Sequence, residues 1–272
     1  MDQYAVIGNP IAHSQSPRIH AGFAEATGQV LAYTTRLATP ETFVATVREF
    51  QAAGGRGMNV TAPFKLQAFD LADATTERAR RAGAVNALKF EDGRIRADNF
   101  DGIGLVADLQ RNLGFALAGR RVLLLGAGGA TRGALLPLAA QRPALLAIAH
   151  RDLAQAQALA TALDPDVALA CGRYDDFGDA AFDLVINATS ASVKGERPPL
   201  SPRVYAAGAL AYDLAYGRGL TPFLRHARDA GAQHLADGAG MLVEQAAEAY
   251  AWWRGVRPDT RAAIERLRVP LV

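Results

Sequence analysis

Lys65 closes the segment NVTAPFK (59 to 65), in which Asn59 and Thr61 precede a single ammonium and no other charged residue stands between Gly57 and Leu66. A lysine that only solubilises a helix sits among other charges at helical spacing. One set among amide and hydroxyl groups suits a pocket that holds a polyhydroxylated molecule by hydrogen bonds while a basic group handles a proton. The same lysine could simply begin a short helix after Pro63. A second chemical signal is GAGGA (126 to 130), which follows the apolar run Arg121 to Leu125 and precedes a helical pattern from Thr131. A glycine-rich turn between strand and helix lets backbone amides approach a pyrophosphate, and the helix N-terminus favours its charge. The spacing departs from GxGxxG, with Gly126, Gly128 and Gly129 followed by Ala130, so a tight turn that binds nothing is the alternative. At the end of the next apolar run, Ala144 to Ala149, stand His150, Arg151 and Asp152. An arginine there accommodates the 2′-phosphate of NADP and an acid binds the ribose hydroxyls of NAD. Asp152 could repel a phosphate or pair with Arg151.

The elements that must carry these groups alternate in type. Tyr4 to Gly8, Ala32 to Arg36 and Gly57 to Val60 read as strands, separated by helical stretches at Pro17 to Thr27 and Pro40 to Ala53, which is βαβ order. After Lys65 come short helices, then Ala84 to Phe90 and Ile95 to Asp98 around Glu91, Asp92 and Gly93, a hairpin signal. Gly102 to Leu113 reads as a helix, and a second α/β unit follows. The chain has 272 residues, half of them hydrophobic, which suits two domains. A formal net charge of +2 without a long basic run gives no nucleic-acid footprint. Cys171 is the only cysteine and the five histidines are scattered, so neither a disulfide nor a metal cluster is expected. The N-terminus lacks a secretory pattern and no apolar run is long enough for a membrane span, so a cytoplasmic protein without membrane partners is expected. The absence of GxSxG argues against an α/β hydrolase.

Taken in order, GNPIAHSQSP (8 to 17), NVTAPFK, GAVN (83 to 86), DNFDG (98 to 102), GAGGA, NATS (187 to 190), the Tyr212 to Leu224 stretch with TPFL, and GMLVEQA (240 to 246) cover nearly the whole chain. In these motifs the chain resembles the shikimate dehydrogenase family. The resemblance implies an N-terminal substrate-binding α/β domain over 1–102, completed by C-terminal helices from about 240 to 272, and a Rossmann-type NADP-binding domain over 103–239, with a cleft between them. It implies reversible reduction of 3-dehydroshikimate to shikimate with NADPH in aromatic amino-acid biosynthesis, by a monomer or homodimer. A quinate/shikimate dehydrogenase using NAD or NADP is the nearest alternative. A non-catalytic ligand sensor is a second, disfavoured because Lys65 and Asp101 are both present.

Carried over by position, Lys65 is the implied acid and base and Asp101 orients it and binds substrate. Ser14 and Ser16 bind the carboxylate, although SQSP read alone is more often a helix cap. Asn59, Thr61, Asn86 and Gln245 bind hydroxyls, and Tyr216 adds a hydroxyl from the second domain. The implied cofactor contacts are Gly126, Ala127, Gly128, Gly129, Ala130, His150, Arg151, Asp152, Asn187, Thr189, Leu214 and Gly238. His13 accompanies the serine loop without a catalytic role, and Trp252 and Trp253 read as packing. Ala87 and Phe100 stand where the family usually has threonine; alternation along an extended chain points both away from the face of Asn86 and Asp101.

Overall fold

Alternation along the first strands decides which side chains meet. The computed structural model describes residues 1–161 and 169–272. In it β1 (Asp2–Gly8) and β3 (Gly55–Val60) pair in parallel. Ala5 and Ile7 of β1 join Met58 and Val60 of β3 in one apolar core. The period of two therefore turns Asn59 to the opposite face of the sheet.

The chain divides into two compact units, Met1–Gly104 with Val243–Ala263 and Leu105–Leu242 with Ile264–Val272. In the first, α1 (Ser16–Thr27), β2 (Leu31–Leu37) and α2 (Phe43–Ala52) complete the βαβ pattern. The predicted start of α2 at Pro40 is displaced because Thr39 and Thr42 tie residues 39–42 into a turn, Thr39 N–H donating to Thr42 Oγ1 at 2.8 Å. After β3 come α3 (Lys65–Leu71), the two-residue β4 (Ala74–Thr75), α4 (Glu77–Ala82), β5 (Ala87–Glu91) and β6 (Arg94–Asp98). The predicted hairpin is present: β5 and β6 pair antiparallel, with Asp92 and Gly93 at φ 51° and 74°. Positive φ at both central residues is what a two-residue turn of this hand requires. The sheet order is β2-β1-β3-β5-β6-β4, parallel except where β5 runs against β3 and β6. Residues of α2, α3 and α4, among them Phe43, Val47, Ala68 and Ala79, fill the core on one face.

The second unit holds β7 (Arg121–Leu125), α6 (Gly129–Ala139), β8 (Leu145–Ala149), α7 (Leu153–Ala160), β9 (Leu169–Gly172), β10 (Phe182–Asn187), β11 (Tyr205–Asp213), α8 (Pro222–Asp229) and β12 (His234–Asp237). The preceding helix, α5 (Asp101–Ala107), runs into a wider π-helical turn at Asp108–Asn112. All pairings are parallel, in the order β12-β11-β10-β7-β8-β9. Both sheet faces are buried: Val122 and Leu124 of β7 enter one core and Leu123 and Leu125 another, which is why these strands read as continuous apolar runs. Counted from β7, this is the 3-2-1-4-5-6 order of a Rossmann-type sheet, and the order reverses between β7 and β10.

Two helices end the chain, α9 (Ala239–Arg254) and α10 (Arg261–Leu267). From Val243 onward α9 belongs to the first unit. There Trp253 stacks on Tyr4 at 4.9 Å between ring centroids, and Tyr250 meets Phe23 edge-on. The expectation gave all of 240–272 to the first unit, but Ile264–Val272 groups with the second, where Leu271 packs against the core of Phe223 and Leu224. Among the described residues, no helix is long and apolar enough to cross a membrane.

Candidate active site and cofactor loops

Lys65 is the first residue of α3, placed there by the short turn after β3 in which Phe64 N–H donates to the Thr61 carbonyl at 3.0 Å. Asp101 is the first residue of α5, and its backbone N–H is held by Asn99 Oδ1 at 3.1 Å. Two helix starts thus face each other. Lys65 Nζ donates to Asp101 Oδ2 at 2.5 Å, with side chains only 15% and 7% exposed. Removing one partner would strand the other charge in a poorly solvated site, at a cost of about 3–5 kcal/mol.

Asn86 joins this pair to the rest of the site. Its Nδ2 donates to Asp101 Oδ1 at 2.8 Å and to Gln245 Oε1 at 3.0 Å, and its Oδ1 accepts from Phe100 N–H at 2.8 Å. The Asn86 carbonyl accepts from Asn59 Nδ2 at 3.2 Å. Lys65, Asp101, Asn86, Gln245 and Asn59 are therefore one connected polar group on the first unit, and Gln245 reaches it from α9. The ammonium has three donors and Asp101 uses one, which leaves two for a substrate oxygen and a neighbouring hydroxyl. Ala87 and Phe100 point away as alternation predicts, into a small apolar cluster with Ala249 and against Trp252.

The serines connect through a residue the sequence did not single out. Tyr33 donates its phenol to Asn59 Oδ1 at 2.6 Å, and the Ser16 side chain acts on the same phenol, opposing the effect of burial on it. Burial holds the Tyr33 hydroxyl protonated, well above its ordinary range. His20 stacks on Tyr33 at 4.1 Å between centroids, with Tyr250 and Trp253 at 6.0 and 5.6 Å. Neither ring nitrogen of His20 has a hydrogen-bond partner of normal geometry among the described residues. Burial pushes the imidazole down to about 3, against a smaller opposing pull from the Asn59 side chain. Ser14 is half-buried and accepts the Ser16 N–H at 3.3 Å, so SQSP also shapes the start of α1. Thr61 is half-buried just past β3, and His13 is exposed.

On the second unit the glycine loop has the geometry its sequence implies. Gly126 takes φ 106°, a region that side chains rarely adopt, and Thr131 Oγ1 donates back to its carbonyl at 2.9 Å. Ala127 is buried in the core, Gly128 precedes α6 in extended geometry, and Gly129 and Ala130 begin the helix. A side chain added at Gly128 would meet nothing within 4 Å, so open space lies beside the loop. Amides at the helix start and that space fit a pyrophosphate. At the end of β8, the Asp152 carboxylate caps α7, accepting Ala154 N–H at 3.0 Å and Gln155 Nε2 at 3.1 Å, and its N–H meets His150 Nδ1 at 3.2 Å. The acid is committed to its own helix, while Arg151 is exposed beside it. That set of donors fits a 2′-phosphate better than a 2′-hydroxyl.

Asn187 ends β10, and its Oδ1 accepts from Thr189 N–H at 3.2 Å and Oγ1 at 2.7 Å. Leu214 follows β11, and a side chain added at Gly238 would strike its backbone, so glycine is required where these two segments touch. Tyr216 lies half-buried in the loop after β11, and burial raises its phenol, so it remains a donor at neutral pH.

Family models for the shikimate dehydrogenase substrate-binding domain, shikimate/quinate 5-dehydrogenase and the shikimate 5′-dehydrogenase C-terminal domain match residues 6–88, 108–221 and 238–268. A shikimate dehydrogenase (NADP(+)) of Aromatoleum aromaticum is 57% identical over 271 residues, covering 98% of this chain and 97% of that one. Among solved structures, an Ael1 enzyme from Pseudomonas putida is 59% identical with a TM-score of 0.94 and complete coverage of both chains. Shikimate 5-dehydrogenase of Thermus thermophilus, solved with NADP(H) and shikimate, is 30% identical with a TM-score of 0.87, covering 98% of this chain and all of that one.

Proposed function

Because the chain belongs to the shikimate dehydrogenase family, we propose that it reduces 3-dehydroshikimate to shikimate with NADPH, reversibly, with Lys65 as acid and base. The observation that carries this reading is the Lys65–Asp101 pair set in the amide network of Asn86. Bound NADPH supplies the hydride that reduces the ketone. As negative charge grows on the ketone oxygen, the Lys65 ammonium stabilises it and delivers a proton to it. In the reverse direction Lys65 takes the proton from the hydroxyl. Asp101 keeps the ammonium aimed and accepts from a substrate hydroxyl on the oxygen it shares with Asn86.

Asn59, Thr61, Asn86 and Gln245 hold the ring hydroxyls, and Ser14 and Ser16 the carboxylate. Gly126 to Ala130 hold the pyrophosphate, His150 and Arg151 the phosphorylated ribose beside the helix cap of Asp152, and Asn187, Thr189, Leu214 and Gly238 the nicotinamide half. Initial rates of shikimate and quinate oxidation with NADP and with NAD test this reading. The expected result is a kcat/KM highest for shikimate with NADP. Preference for quinate or for NAD would move the chain to the quinate/shikimate branch, and no turnover by folded protein would overturn the reading. In Lys65→Ala, kcat should fall by at least a hundredfold with little change in KM.

A further inference from the structure

The TPFL segment has no role in the mechanism above, yet its Thr221 takes part in an unusual buried cluster. Asp213, the last residue of β11, has 0% exposure. Its Oδ2 accepts from Ser192 Oγ at 2.5 Å and Thr221 Oγ1 at 2.7 Å, and its Oδ1 from Asn187 Nδ2 at 3.2 Å and Ala215 N–H at 3.1 Å. Burial still raises the Asp213 carboxyl above its ordinary range, so four donors do not fully offset the loss of water.

The cluster links the strand tips. Asn187 Nδ2 also donates to Ser192 Oγ at 3.0 Å, and the Asn187 carbonyl accepts Leu214 N–H at 3.0 Å. Ala188 N–H donates to the carbonyl of Leu125, the residue before the glycine loop, at 3.0 Å. One carboxylate thus fixes the segments after β10 and β11 to each other, while the first of them is tied to the end of β7 by a backbone hydrogen bond that does not involve Asp213. In a sheet of this order the loop after β7 and the tip of β8 take the adenosine half of a dinucleotide, and the tips beyond the reversal take the other half. Asp213 lies wholly on the second side.

We propose that Asp213 is a positioning residue for the nicotinamide half of the cofactor, acting through Ser192, Thr221 and Asn187 on the backbone of 187–189 and 214–215. The inference rests on the dinucleotide reading of the second unit. It predicts a selective defect, since the segments that hold the adenosine half do not depend on this carboxylate.

The test is calorimetric binding of NADP+ and of 2′,5′-ADP, which carries only the adenosine and 2′-phosphate portion, to the wild-type chain, Asp213→Asn and Ser192→Ala. The expected result is roughly a tenfold weaker Kd for NADP+ in both variants, with the 2′,5′-ADP Kd within about twofold of wild type. Parallel loss of both ligands would overturn the proposal, because the cluster would then be supporting the unit as a whole. Unchanged NADP+ binding would overturn it as well. If Asp213→Asn does not fold, Ser192→Ala, which keeps the acid and removes one bond, decides by the same comparison. A wild-type chain that binds neither ligand would overturn the dinucleotide reading itself.

Discussion

Every polar atom of the Asn86 side chain is engaged, and its partners come from two distant parts of the sequence: the adjacent Phe100 and Asp101 and, from α9, Gln245. Lys65 was legible because a lone ammonium among amide and hydroxyl groups has few structural uses, whereas Asp101 and Asn86 were singled out only through the resemblance of DNFDG and GAVN to the family's motifs. Tyr33 was not, since a tyrosine within LAYTTRL reads as ordinary strand composition. Its role appears only when the fold brings β2 near Asn59, 26 residues on. Tyr33→Phe removes one hydrogen bond to Asn59 Oδ1 and keeps the ring against His20. Shikimate KM should rise about three- to tenfold with kcat changed much less. Steady-state kinetics in which kcat fell while KM held would assign Tyr33 a different role.

At the scale of elements, the strand-turn-helix units were visible from periodicity and turn chemistry, and the hairpin at Asp92 and Gly93 from two residues that tolerate positive φ. The two-residue β4 and the four-residue β9 and β12 were not, because segments this short carry no period. The ambiguity at His150, Arg151 and Asp152 came from reading Asp152 as a ligand residue. An aspartate directly before the apolar stretch LAQAQALA is also a helix cap, and that is its use here. With the carboxylate so engaged, Arg151 is the group available to a 2′-phosphate. Arg151→Ala should weaken NADPH binding by about tenfold or more and leave NADH binding nearly unchanged. Equal losses in a fluorescence titration would mean that the phosphate is read elsewhere.

For the whole molecule, His20 makes stability depend on pH in a defined direction. Its folded pKa of about 3 lies below the ordinary 6.5, so between these values the unfolded chain binds a proton that the folded chain does not. This contribution is fully present above pH 6.5 and is lost as pH falls, by about 2 kcal/mol near pH 5. Urea midpoints at neutral pH and near pH 5 should therefore differ more in the wild type than in His20→Phe, and equal differences would show that His20 is not buried neutral. The aromatic cover over His20 comes from Tyr250 and Trp253 of α9, which lie far along the chain from the α1 and β2 residues they meet. The ribosome thus releases the sheet of the first unit well before the helix that closes one of its faces. All strands of the second unit lie between Arg121 and Asp237, so that sheet can close while the first still waits. The sheet made first is covered only after the strands of the second have been made. A nascent chain stalled before Tyr250 would display Tyr4, His20, Phe23 and Tyr33 without their cover, the kind of exposed apolar surface that chaperones bind and aggregates grow from.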